Sequence, residues 1–181
     1  MQKKFFIFLL KFLLVFCILY FGTLAVIGIS SPGNYYIPFV DKYLDYVSGI
    51  KNMLLYTTKG FLLLFNIKTQ FEPNYLIRII GGRGVYIAMD CVGYGVYSFW
   101  IAYVVANDNS LKKKLLWIVT GVAILFLINA IRITLFLVAI NKGWPMPLGL
   151  DHHTWFNIVA YLAIFILIYK FEKNLKTSTA P

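Results

Sequence analysis

Three lysine clusters punctuate long apolar runs in this chain, and they constrain its fold more than any other feature. Lys3, Lys4 and Lys11 mark the N-terminus, Lys112, Lys113 and Lys114 one connection, and Lys170, Lys173 and Lys176 the tail. Short basic clusters beside apolar runs are retained on the cytoplasmic side of a membrane and can touch anionic lipid. The residues between them make the chain 60% hydrophobic, with only 13% charged residues and a mean hydropathy of +0.75. That composition describes a polytopic membrane protein, not a soluble domain. The net charge of +10 is therefore an orientation signal. Nucleic acid is not an expected partner, because the cations flank spans instead of lining one basic face.

Four spans can be placed, at about residues 5–30, 91–106, 115–140 and 153–169. The first is longer than the apolar region of a secretory signal, which predicts an uncleaved anchor. If these four segments cross, all three lysine clusters fall on one side. The expected topology is N-in and C-in, with both longer connections outside. At 181 residues, a single membrane domain over residues 1–181 is the default.

Residues 31–90 form the external part. Ser31-Pro32-Gly33-Asn34 stops the first helix. Phe39, Tyr43, Tyr46, Val47, Ile50 and Leu54 then recur at helical spacing, with Asp41, Lys42, Asp45 and Asn52 on other faces. This predicts an amphipathic helix on the outer leaflet. Residues 53–67 continue it as a short apolar stretch containing Lys59, read as interfacial. Two β-prone runs, Tyr75 to Ile80 and Val85 to Met89, flank Gly81-Gly82-Arg83-Gly84 and predict a β-hairpin. Its second strand delivers the chain to Cys91. The fold class expected is an all-α integral membrane protein of about four transmembrane helices, with an external amphipathic helix and a small β-hairpin before that cysteine.

Three reactive groups share one depth in this topology. With Lys114 at the inner interface, Arg132 stands 18 residues up the third span, or about 27 Å at 1.5 Å per residue. Against a hydrocarbon core of about 30 Å, it lies near the outer boundary. Cys91 begins the second span from outside, and His152 and His153 begin the fourth. Free amide groups at a helix start favour a thiolate. A charge such as Arg132 inside an apolar run is costly and usually functional. Asn129, at i−3, shares the arginine's helical face and is a candidate to hold it. His153, Asn157 and Tyr161 share a face, which favours His153 as the inward histidine, with His152 pointing about 100° away. Cys17, inside the first apolar run, reads as a small buried hydrophobe. A metal site at Asp151, His152 and His153 lacks a convergent third partner. No cofactor is implied, and no phosphate-loop pattern occurs.

Three blocks in this order resemble the exosortase/archaeosortase family of membrane cysteine transpeptidases. A hairpin leads into Asp90-Cys91-Val92-Gly93, similar to the family's Cys-x-Gly block. Asn129-Ala130-Ile131-Arg132 matches its Asn-x-x-Arg pattern, and Asp151-His152-His153-Thr154-Trp155-Phe156-Asn157 is similar to its histidine block. The resemblance covers roughly residues 72–170. Val92 stands where many members have serine, and four spans stand where many have eight, as in a compact branch.

The resemblance implies a sorting enzyme in a prokaryotic inner membrane with its active site outward. Its partners would be secreted proteins ending in a recognition motif, a transmembrane helix and a basic tail. Cys91 would attack the scissile carbonyl, and His153, or alternatively His152, would serve as acid and base. Arg132 would stabilise the oxyanion, with Asn129 and Asn157 behind these groups. Two other readings use the same residues: a plain membrane cysteine protease, and a non-catalytic transporter or assembly factor in which Arg132 binds an anion.

Overall fold

The computed structural model describes residues 2–30, 35–145, 149 and 151–178; the side chains of Asp90, His152, His153, Phe156 and residues 175–178 lie outside that description. The chain is mostly helical: α1 (Gln2–Ser30), α2 (Pro38–Leu44), α3 (Tyr46–Leu64), α4 (Tyr94–Ala106), α5 (Leu111–Lys142) and α6 (His152–Ser178). Between α3 and α4 come β1 (Thr69–Glu72), β2 (Leu76–Ile79), β3 (Gly84–Tyr86) and a 3-10 turn, Met89–Cys91.

Among the described residues, α1 and α5 are long and apolar enough to cross a membrane, while α4 is apolar but has 13 residues. At 1.5 Å per residue α4 is only about 20 Å long. Aromatic pairs fix how the helices run. Phe8 meets Tyr103, Phe12 meets Phe99 and Tyr20 meets Tyr94, with ring centroids 5.9, 5.3 and 5.4 Å apart. Ascending α1 numbers meet descending α4 numbers, so the two helices are antiparallel. Phe171 of α6 packs edge-on against Trp100 of α4 and Trp117 of α5, and the Trp100 indole N–H donates to the Trp117 carbonyl at 3.0 Å. Gly121 makes room for that indole, because a Cβ there would overlap it. Lys11 pairs with Asp108 across 3.4 Å. The start of α1, the α4–α5 connection and the late turns of α6 therefore share one end of the molecule, and all three lysine clusters belong to these segments.

A second core lies at the other end, where α3 and the sheet pack on α5. Leu54, Leu55 and Leu62 of α3 meet Ile77 and Ile87 from the hairpin region, Ala130, Ile133 and Leu137 of α5, and Cys91. The expected hairpin is present, with Leu76 opposite Tyr86 and Arg78 opposite Gly84. It gains a third antiparallel strand, Thr69–Glu72, that sequence reading missed. The left-handed backbone of Asn74 and Tyr75 (φ 62° and 60°) turns β1 into β2.

Two further expectations are corrected. The single amphipathic helix from Phe39 to Leu54 is broken at Asp45, whose carboxylate accepts from the Ser48 N–H and caps α3. α3 then runs unbroken to Leu64, so the apolar stretch from residue 53 continues this second helix. Cys17 is exposed rather than buried. In α1, Thr23 is the buried residue, so its other faces look away from the protein.

Candidate active site

The sequence delivers Cys91 to the interior by a local device. The 3-10 turn Met89–Cys91 ends at Val92, and Gly93 (φ 81°) reverses the backbone before α4 begins at Tyr94. Such a positive φ favours glycine. Cys91 is therefore in the turn before the helix and not at its first residue, so the expected help from free helix amides is reduced. The thiol residue is 7% exposed.

Asn129 fixes this turn. Its side-chain nitrogen donates to the carbonyls of Cys91 at 2.7 Å and Val92 at 3.3 Å. The residue is 1% exposed, so these bonds form where water does not compete. Asn129 was expected to hold Arg132; it holds the cysteine backbone instead. Its Oδ1 and the Tyr97 hydroxyl are buried without a hydrogen-bond partner among the described residues. The Asn129 side-chain nitrogen and the Tyr97 hydroxyl lie against the position a Gly93 side chain would occupy.

Cys91 and Arg132, 41 positions apart, line one pocket of about 270 Å³. Its walls are residues 84–88 on one side and Ile133, Phe136 and Ile140 of α5 on the other. The structure thus brings together three of the residues singled out in the sequence, Cys91, Asn129 and Arg132. It does not bring Asn157, which is exposed on α6. Tyr161 is also exposed, while Ala160, Ile164, Leu167 and Phe171 form the buried face of that helix. The side chains of His152 and His153 lie outside the described residues. Both residues open α6, and Asp151 caps it by accepting from the Thr154 N–H at 2.7 Å and hydroxyl at 3.1 Å.

Lys51 was missed by sequence reading. It is 2% exposed on the buried face of α3, between Val47 and Leu54. Its ammonium lies 4.7 Å from the centre of the Tyr75 ring, a cation–π contact. The left-handed φ of Tyr75 is unusual for a bulky residue. Burial pushes the Lys51 ammonium below its ordinary range, opposed by the Asp45 carboxylate and by Cys91. A buried cation within electrostatic reach of the thiol could have been suspected only from its register with Val47, Leu54 and Leu55 on α3.

Among the described residues, no group of three His, Cys, Asp or Glu side chains could hold a metal ion. No curated protein and no solved structure shows significant similarity to the chain. A family model described as transmembrane exosortase matches residues 5–169. That match spans nearly the whole sequence, including the cysteine turn, Asn129, Arg132 and the histidine pair, so the chain belongs to the transmembrane exosortase family of membrane proteins.

Proposed function

We propose that this chain is a membrane cysteine transpeptidase with Cys91 as nucleophile. The observation that carries the reading is the shared pocket of Cys91 and Arg132, with the cysteine backbone anchored by Asn129. A thiolate at Cys91 attacks the scissile carbonyl and forms a thioester as the C–N bond breaks. Arg132 stabilises the oxyanion, where low dielectric strengthens its effect. His153, with His152 as the alternative, protonates the leaving amine and then deprotonates the acceptor. Lys51 adds a second positive charge near the thiolate. Asn157, exposed on α6, has a weaker claim to a supporting role.

The family acts on secreted proteins with C-terminal sorting signals. For this chain the proposed substrate tail is a motif, a transmembrane helix and a basic end. The proposed arrangement is one membrane domain over residues 1–181 with four spans, α1, α4, α5 and α6. α2, α3 and the sheet lie outside, in a cell inner membrane with N-in and C-in topology. The shared end of the lysine-bearing segments supports this orientation, and the opposite location of the Cys91 pocket supports an outward active site. The short α4 fits if the turn before it enters the membrane boundary.

The test is co-expression with a reporter bearing such a tail. Wild type should process it; Cys91→Ala, Arg132→Ala and His153→Ala should not, while His152→Ala should. The mass of the new C-terminus separates transfer from hydrolysis. Processing that survives Cys91→Ala sinks the cysteine mechanism.

A further inference from the structure

We propose that the free edge of β3 receives an extended polypeptide as a fourth strand, which carries the scissile carbonyl to Cys91. The inference rests on the cysteine-enzyme reading for its last step, but the strand site itself stands on backbone geometry.

The sheet order is β1-β2-β3, so among the described residues no strand covers the outer side of β3. The Ile79 N–H donates to the Arg83 carbonyl and the Ile87 N–H to the Tyr75 carbonyl. In an antiparallel ladder, hydrogen-bonded pairs alternate with non-bonded ones. Val85, Ile87 and the Arg83 carbonyl therefore face β2, whereas Gly84 and Tyr86, opposite Arg78 and Leu76, turn their amides to the outer side. There the Tyr86 carbonyl accepts from the Ala88 N–H at 3.2 Å and the Tyr86 N–H points outward. That edge carries none of the usual blocking devices at Gly84-Val85-Tyr86, neither lysine nor proline.

At the turn end, α5 clasps the backbone of Arg83. The Asn141 side-chain amide of α5 accepts from the Arg83 N–H at 2.6 Å and donates to its carbonyl at 3.1 Å. Gly82 makes room for it, since a Cβ there would overlap Asn141. Beyond this clasp the 270 Å³ pocket opens between residues 84–88 and α5 and reaches Cys91 and Arg132. A slot with backbone donors on one wall and Phe136 and Ile140 on the other suits an extended segment. Main-chain bonds would supply affinity, and alternate side chains would rest on the apolar wall. A lipid chain would leave the amides unpaired, and so would a helix, whose backbone groups are bonded within itself.

The test uses the full chain in detergent with Cys17→Ser, so that Cys91 is its sole cysteine. Its alkylation by acetyl-trialanyl chloromethyl ketone is compared with that by chloroacetone; in both, the thiolate displaces chloride to form a thioether. The peptidyl reagent should react at least about tenfold faster, worth about 1.4 kcal/mol. Tyr86→Pro removes an outward N–H and spares the bonds to β2, a tolerated edge position. It should abolish the advantage, while Tyr86→Ala keeps it. An unchanged chloroacetone rate shows that Tyr86→Pro is folded. If that rate changes, a backbone N-methylated trialanyl reagent on the Tyr86 protein replaces the variant and should lose the advantage. Equal rates for the two parent reagents overturn the proposal, including where another copy of the chain fills the edge. So does an advantage that survives Tyr86→Pro with an unchanged chloroacetone rate, or N-methylation. A peptidyl preference in a protein whose Cys91→Ala variant still processes the reporter would sink the cysteine mechanism and leave the strand site standing.

Discussion

The two ends of the molecule solve burial differently. At the lysine-bearing end, Trp100, Tyr103, Trp117 and Phe171 interlock, the Trp100 N–H is matched to a carbonyl and the Tyr103 hydroxyl to Glu172 at 2.7 Å. At the cysteine end, Lys51 and Asn129 are buried together with Thr58, Thr69 and Thr134. There Asn129 Oδ1 and the Tyr97 hydroxyl keep unused hydrogen-bonding capacity among the described residues. Native interiors rarely leave such groups unmatched without a reason. One end is built for packing alone, and the other accepts a cost in packing to hold charge and donors beside a thiol.

Substitutions can break that contrast. The largest effect should come from Cys91→Ala and Arg132→Ala, which lower tail processing by about a thousandfold or more yet shift unfolding little. Trp100→Ala should do the reverse. Truncating this fully buried indole should cost about 3–5 kcal/mol, read by denaturant titration in mixed micelles, while the folded fraction keeps its Cys91 reactivity. If Trp100→Ala removed processing without loss of stability, the division between the two ends would fail.

Asn129→Ala should fall between these extremes. It frees the Cys91 and Val92 carbonyls, costing about 1–3 kcal/mol and slowing turnover with little change in KM. A rise in KM alone would contradict its role in fixing the nucleophile turn.

Much of this contrast was legible in the sequence. α1 and α5 are carried by apolar runs long enough to cross a membrane, and counting residues from Lys114 put Arg132 at the depth of Cys91. The hairpin followed from two β-prone runs around a glycine turn. The rest was hidden for physical reasons. β1 is four residues, TQFE, with no apolar alternation of its own, and it forms only because β2 offers an edge. Lys51 reads as a surface charge, and only the packing of α3 against the sheet shows it buried. Asp45 looked like one more polar face of a continuous helix, whereas its carboxylate caps a new one. Cys17 followed the rule that cysteines are buried, which fails on a helix that packs through one face and leaves the others exposed.

Lys51 gives a pH-dependent prediction of smaller size. Burial, opposed by Asp45 and Cys91, holds its ammonium below 10.5, so the unfolded chain binds that proton more tightly than the folded one. The penalty is complete at low pH and is relieved as pH rises through the folded value toward 10.5. The stability of wild type relative to Lys51→Met should therefore increase with pH in that window; a flat difference would contradict the burial of a charge. Smallest of all, Lys11→Ala removes an exposed pair with Asp108 and should change stability by less than about 1 kcal/mol.

The central claim is a thioester at Cys91. Its most direct test is to mix the purified Cys17→Ser chain with a sorting-tail substrate, quench in acid and measure intact mass. The account predicts an adduct equal to the substrate's N-terminal fragment, attached at Cys91 and released by hydroxylamine as the hydroxamate. Substrate processed with no such adduct, or an adduct that persists in Cys91→Ala, would contradict it.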